Sequence, residues 1–189
     1  MNIVSKSFAE HRKVLDQLFS SSEHAILSIS KILSDALIHD RTLFWCGNGG
    51  SAADCQHLVA EFVGKFNKDR RALRSIALTT DTSILTCIAN DYSYEDVFSR
   101  QVQALGKSGD ILIGLSTSGN SENILRAFKT AKKTGLHTIG LLGKGGGKAK
   151  DLVDNALVIP SDTTARVQEL HILIGHIFCE LIERELRLD

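Results

Sequence analysis

Residues 110–124 read DILIGLSTSGNSENI, and the architecture follows from this stretch. Asp110–Leu115 is a nearly unbroken apolar run, the pattern of a strand covered on both faces. Polar residues and a glycine follow at once, and a helical pattern runs from Glu122 to Lys133. The same strand–turn–helix unit recurs on either side. Thr42–Cys46 is a short apolar strand that passes through Gly47 into a small-residue helix over Ser51–Gly64. Ser75–Leu78 reads as another strand, followed by helical stretches over Ser83–Ala89 and Val97–Leu105. His137–Leu142 and Ala156–Ile159 are the last two strands, the second stopped by Pro160. Strands that alternate with helices pair in parallel through right-handed crossovers. The expectation is an α/β fold: a doubly wound, five-stranded parallel sheet with helices on both faces, preceded by N-terminal helices.

Residues 1–40 read as a helical extension of one domain spanning 1–189. Val4, Phe8, Leu15, Leu18 and Phe19 recur at helical spacing, and Ser20 with Glu23 matches a capping box that would restart the helix. Ile26, Ile29, Ile32, Leu33 and Leu37 continue the period, so two helices or one bent helix are expected. At the other end, Leu170, Ile172, Leu173, Ile174, Ile177, Phe178, Leu181 and Ile182 leave no wide polar face. A helix apolar nearly all round must be buried, and another subunit is the simplest cover. An oligomer is therefore expected.

Composition narrows the function. Lys plus Arg total 22 and Asp plus Glu total 22, a formal net charge of zero, which argues against a nucleic-acid partner. The basic group Lys65, Lys68, Arg70, Arg71 and Arg74 reads as a solvated loop. The four cysteines, at 46, 55, 87 and 179, form no C-x-x-C pair, as in a reducing compartment. The N-terminus lacks the apolar stretch of a signal peptide, and no run of apolar residues is long enough to span a membrane. A cytoplasmic protein with no membrane partner is the expectation.

Two strand-to-helix turns carry the chemistry, at the sheet edge where doubly wound folds bind ligands. In the first, Ser116, Thr117, Ser118 and Ser121 surround Gly119 at a helix N-terminus. Free backbone N–H groups and the helix dipole favour an anion there, and four hydroxyls exceed what a cap requires. The second, Gly47-Asn48-Gly49-Gly50-Ser51-Ala52, formally matches G-x-G-x-x-A. No acidic residue ends the next strand at the proper distance, so no nucleotide cofactor is expected. The run Gly143-Lys144-Gly145-Gly146-Gly147-Lys148 has the wrong spacing for a Walker phosphate loop. On the helix after the glycine turn, His57 and Glu61 share a face, able to hold a metal or to pair a base with its orienting group. On the last helix Gln168, Glu169, His171 and His176 interrupt an apolar surface. His171 reads as a core histidine bonded to a carbonyl, whereas for His176 a core role and a functional one stand level.

Four stretches in order, CGNGGSAADCQHLVAEFVGKF (46–66), ALTTDTSILTCIANDYSYEDVFSRQV (77–102), GLSTSGNSENI (114–124) and PSDTTARVQELHILIGHIFCELIE (160–183), resemble the sugar isomerase (SIS) domain family in its phosphoheptose isomerase branch. The resemblance covers nearly the whole chain and implies a flavodoxin-like sheet. It implies that Ser116, Thr117, Ser118 and Ser121 hold a sugar phosphate, and that Asn48, Gly49, Gly50, Asn90, Asp91 and Gln168 contact the substrate. Glu61 would be the general base and His176 the general acid. His57, Glu61, Gln168 and His176 would bind zinc, one per subunit of a homotetramer. The implied reaction turns sedoheptulose 7-phosphate into D-glycero-D-manno-heptose 7-phosphate through an enediol, for bacterial heptose and lipopolysaccharide precursors. The rival reading is a non-catalytic SIS-domain tetramer that binds the bacterial replication initiator. That branch lacks the glutamate and histidine pair which Glu61 and His176 supply here. A sugar-phosphate-sensing domain would bring a DNA-binding module, for which 189 residues leave no room.

Overall fold

Five short strands, β1 (Leu43–Gly47), β2 (Ser75–Ala77), β3 (Ile111–Ser116), β4 (His137–Leu142) and β5 (Asn155–Val158), form one parallel sheet in the order β2-β1-β3-β4-β5. The computed structural model describes residues 2–186. Helices α1 (Ile3–Ile38), α2 (Gly50–Val63), α3 (Thr82–Asp91), α4 (Ser99–Leu105), α5 (Glu122–Thr134) and α6 (Thr164–Glu185) complete it. Strands β1, β3 and β4 are buried on both faces except at His137, because each face has its own helical cover. One core joins α1, α2 and α6 to Leu43, Trp45, Ile113, Leu115 and Leu141. The other joins α3, α4 and α5 to Phe44, Cys46, Leu112 and Leu142. Alternate residues of a strand thus feed opposite cores, as the pleat requires. Trp45 is fully buried, and its indole N–H is satisfied by Ser75 Oγ at 2.9 Å.

The ends of the chain differ from the sequence expectation. α1 is continuous over 36 residues, with no restart at Ser20. The hydroxyls of Ser20 and Ser21 donate back to the Gln17 carbonyl at 3.0 and 2.9 Å, so they join the helix rather than cap a new one. Its stripe divides: Leu18 is buried, while Val4, Phe8 and Phe19 stay 58, 72 and 72 % exposed. α6 finds most of its cover inside the chain, where α1 and α2 bury Leu170, Ile174, Phe178 and Ile182. Only Ile172, Leu173, Ile177 and Leu181 remain part-exposed. The unsatisfied apolar surface therefore lies chiefly on α1, and not on α6 as the sequence leads one to expect.

Candidate active site

Helices leave β1 and β3 toward opposite faces, which opens a crevice between their carboxyl ends, and Gly47 pairs in register with Leu115. The glycine turn and the serine turn therefore lie side by side. Ser116 Oγ accepts the Gly119 N–H at 3.0 Å and lies 3.4 Å from Ser121 Oγ, while Ser118 Oγ accepts the Asn120 N–H at 3.1 Å. A hydroxyl that accepts keeps its proton for a ligand. Ser121 occupies the N-cap of α5, but its side chain makes no bond to the helix backbone, so a capping role does not explain its hydroxyl. The glycine run that fails as a Walker loop has a place here as a brace. Gly143 and Ala149 donate their N–H groups to the carbonyls of Ser116 and Gly119 at 3.1 and 2.9 Å, and Lys148 donates to Asn120 Oδ1 at 3.1 Å. Gly119 has φ +63°, and a Cβ there would meet the Gly146 carbonyl oxygen at 1.9 Å.

Asn48 is held by a residue that sequence reasoning missed. Asn48 Nδ2 donates to Asn123 Oδ1 at 2.9 Å, and Asn123 Nδ2 returns a bond to Asn48 Oδ1 at 2.8 Å. Tyr94 Oη adds a third bond to Asn48 Oδ1 at 3.1 Å. Asn48 thus keeps one amide proton to offer a ligand. The signal for Asn123 was an amide in the first turn of a helix whose neighbours are buried. Asn90 and Asp91 lie exposed at the end of α3, where Asn90 Nδ2 donates to Asp91 Oδ1 at 2.7 Å. Among the described contacts neither side chain meets the two turns.

The third part of the site is built by α2 and α6. Gly175 admits Leu58, whose Cδ2 would lie 2.4 Å from a Cβ at that position, and this close approach brings His57 against His176. Their Nε2 atoms are 2.9 Å apart, and His57 Nε2 lies 3.5 Å from Glu61 Oε1. Ligand atoms of His57, Glu61 and His176 all fall within 4.8 Å of one another. Two imidazoles and a carboxylate suit zinc, and bonds of about 2.0–2.1 Å set ligand atoms of a tetrahedron about 3.3 Å apart. The observed separations bracket that edge. Gln168 lies two turns before His176, with its amide against Gly50, 2.6 Å from where a Cβ would stand. It joins the glycine turn to α6. The Phe66 ring stacks on His176, with centroids 5.5 Å apart at 22°. In the single chain the His57 side chain is 50 % and Glu61 24 % exposed. One turn before His57, the Asp54 Oδ2 atom is buried without a hydrogen-bond partner. Burial raises that carboxyl above its usual range, against the opposing charge of His57.

The other marked residues serve the scaffold. His171 is fully buried, as a core histidine is expected to be, and the Leu142 carbonyl, which also accepts the Ile159 N–H at 2.8 Å, faces its ring without closing a hydrogen bond of normal geometry. Burial lowers its pKa to about 4. Glu169 receives His11 Nδ1 at 2.7 Å and the Arg166 guanidinium, tying α6 to the start of α1. The basic loop is not wholly solvated, since Arg70 has a side chain only 1 % exposed, paired with Glu183. Cys46, Cys55 and Cys179 are buried, Cys87 is exposed, and all four are free.

A family model of the SIS domain matches residues 7–143. The phosphoheptose isomerase of a Nitratiruptor species is 54 % identical over 180 residues, covering 95 % of this chain and 96 % of its own. That of Clostridium acetobutylicum is 59 % identical over 161 residues, 85 and 82 % of the two chains. Among solved structures, phosphoheptose isomerase GmhA from Neisseria gonorrhoeae superposes with a TM-score of 0.91 at 42 % identity, covering 96 % of this chain and 97 % of that one.

Proposed function

The chain belongs to the phosphoheptose isomerase family of SIS-domain enzymes, and from that premise we propose that it interconverts sedoheptulose 7-phosphate and D-glycero-D-manno-heptose 7-phosphate. The observation that carries the reading is the meeting of Glu61 from α2 with His176 from α6 across His57, within one chain.

The substrate phosphate occupies the serine turn, held by Ser116, Thr117, Ser118 and Ser121 and by the N-terminus of α5. Asn48, oriented by Asn123 and Tyr94, takes a sugar hydroxyl, with Gly49, Gly50 and Gln168 beside it. Helix side chains tilt toward the helix N-terminus, so His57 and Glu61 lean back toward the glycine turn. A phosphate fixed at one end orients the carbonyl end, which lowers the entropic part of the barrier. Glu61 removes a proton from C1 next to the C2 carbonyl, giving a cis-enediol, and returns it to C2. His176 protonates the oxygen on C2 and accepts the proton from the oxygen on C1, so no proton is gained or lost. The cluster of His57, Glu61 and His176 fits zinc, and these three with Gln168 would hold it. A zinc ion there would supply Lewis-acid polarisation of the carbonyl. Glu61 cannot at once be a permanent ligand and a free base.

A homotetramer in the cytoplasm is part of this reading. It is supported by the exposed Ile3, Val4 and Phe8, which line an apolar groove of about 480 Å³ with His11, Arg166 and Glu169. Among the described residues no helix is long and apolar enough to cross a membrane. Incubation with sedoheptulose 7-phosphate, read by appearance of the aldose, tests the whole. Glu61→Gln should abolish turnover while leaving affinity for inorganic phosphate nearly intact. A Glu61→Gln protein that turns over at the parent rate refutes the mechanism, and a parent that makes no aldose leaves the non-catalytic reading.

A further inference from the structure

We propose that the buried Arg70–Glu183 pair is a positioning device that sets how Glu61 meets His176, an inference that rests on those two residues being the base and the acid.

α2 and α6 run side by side in the same direction, since Gly50 faces Gln168, Leu58 faces Gly175 and His57 faces His176. Beyond Val63 the chain turns over α6, two helical turns past His176, and there it meets Glu183. That carboxylate, 4 % exposed, accepts the N–H groups of Phe66 and Asn67 at 3.0 Å and of Lys68 at 3.3 Å, and Arg70 Nε at 2.9 Å. Arg70 turns the rest of its guanidinium onto the end of α2. One terminal nitrogen donates to the Glu61 carbonyl at 2.7 Å, the other to Phe62 at 2.9 Å, to Gly64 at 3.3 Å and to Arg71 at 3.1 Å. A single guanidinium therefore grips the backbone of the base and, through Glu183, the helix of the acid. Phe66, pinned by the same carboxylate, lays its ring on the His176 imidazole and restricts its rotamers.

Stability alone gives little reason for this knot, because a buried ion pair recovers its desolvation cost only with good geometry and an apolar replacement is often as stable. Its planar fork instead fixes directions and distances, which Lys could not reproduce. Burial would raise the Glu183 carboxyl, but the N–H groups of Asn67 and Phe66, the Arg70 guanidinium and the Lys68 N–H hold it below its ordinary range. The carboxylate is thus ionised at neutral pH.

The test compares full-length Glu183→Gln, Arg70→Lys, Phe66→Leu and Phe66→Tyr with the parent and with Glu61→Gln. Steady-state kinetics on sedoheptulose 7-phosphate are read beside affinity for inorganic phosphate. Misplacement of reacting groups by about 1 Å costs on the order of 100-fold, so kcat should fall by about 10- to 100-fold in Glu183→Gln and Arg70→Lys. KM and phosphate affinity should stay within about twofold, the signature of lost transition-state geometry rather than lost binding. Phe66→Leu should lower kcat by about 10-fold and Phe66→Tyr restore it, since only the tyrosine keeps a stacking ring. Should the pair variants not fold, the two Phe66 variants decide. Parent-like kcat in folded Glu183→Gln, or in Phe66→Leu, overturns the inference, as does a rise in KM at constant kcat. If Glu61→Gln is inactive in the same series, only the positioning role has failed. If Glu61→Gln is active, the assignment of the base has failed first.

Discussion

Acidification should unfold this protein in part through a single buried imidazole, and replacing His171 by Leu should remove that sensitivity. His171 titrates near pH 4 in the folded chain against an ordinary value of 6.5, because burial disfavours the charged form. Between those values the unfolded chain takes up a proton that the folded chain refuses. Stability is therefore complete above pH 6.5 and declines as the pH falls toward 4. Each pH unit of difference is about 1.4 kcal/mol, so the total is on the order of 3 kcal/mol, with about 2 kcal/mol lost by pH 5. That is a large share of the usual 5–15 kcal/mol. Urea midpoints at pH 7, 6 and 5, at one protein concentration so that association does not intrude, measure it. Leu cannot titrate and leaves no orphaned ring nitrogens, so His171→Leu should lose about 2 kcal/mol less than the parent between pH 7 and 5. The carboxylates of Glu169, Glu183, Asp96 and Asp154, all held below their ordinary range, are common to both proteins. Parallel curves for the two proteins down to pH 5 would refute the reasoning.

Gly119→Ala forces a Cβ into the Gly146 carbonyl at a positive φ, so the serine turn must move from its brace. Inorganic phosphate affinity by calorimetry should drop by about 10-fold or more, since a bond lost to each of several donors costs about 1 kcal/mol or more. An unchanged affinity would mean that the phosphate binds elsewhere. Asn123→Asp removes the amide donor to Asn48 and sets a carboxylate against Asn48 Oδ1. Turnover measured as kcat/KM should fall by about 10-fold, because a charged partner left badly matched costs about 1.5–3 kcal/mol. A parent-like value would show that Asn48 needs no such partner.

The sheet is legible in the sequence because its signals are local. Continuous apolar runs at 43–47, 111–115 and 139–142 mark strands with two covered faces, and polar turns follow Cys46 and Leu115. Every strand appears within a residue or two of its expected span. The i,i+4 spacing of His57 and Glu61 was equally readable, since it belongs to one helix. The resemblance carried the pairing with His176, which spacing alone left open.

Other features depend on residues far apart in the chain. Ser20 and Glu23 carry a local restart signal that α1 overrides, because the burial of Val14, Leu18, Ile29 and Leu33 runs through it. Arg70 has the composition of a surface loop, and only the passage of that loop over Glu183, 113 residues away, makes it a buried clamp. Asn123 is an unremarkable amide until β1 and β3 lie side by side and bring Asn48 to it. Local pattern was enough to say which segments are strands and which strand-to-helix turns carry the polar residues. Which of them meet was set by the folded chain, because close packing between distant segments, and not local propensity, fixes distances of a few ångströms.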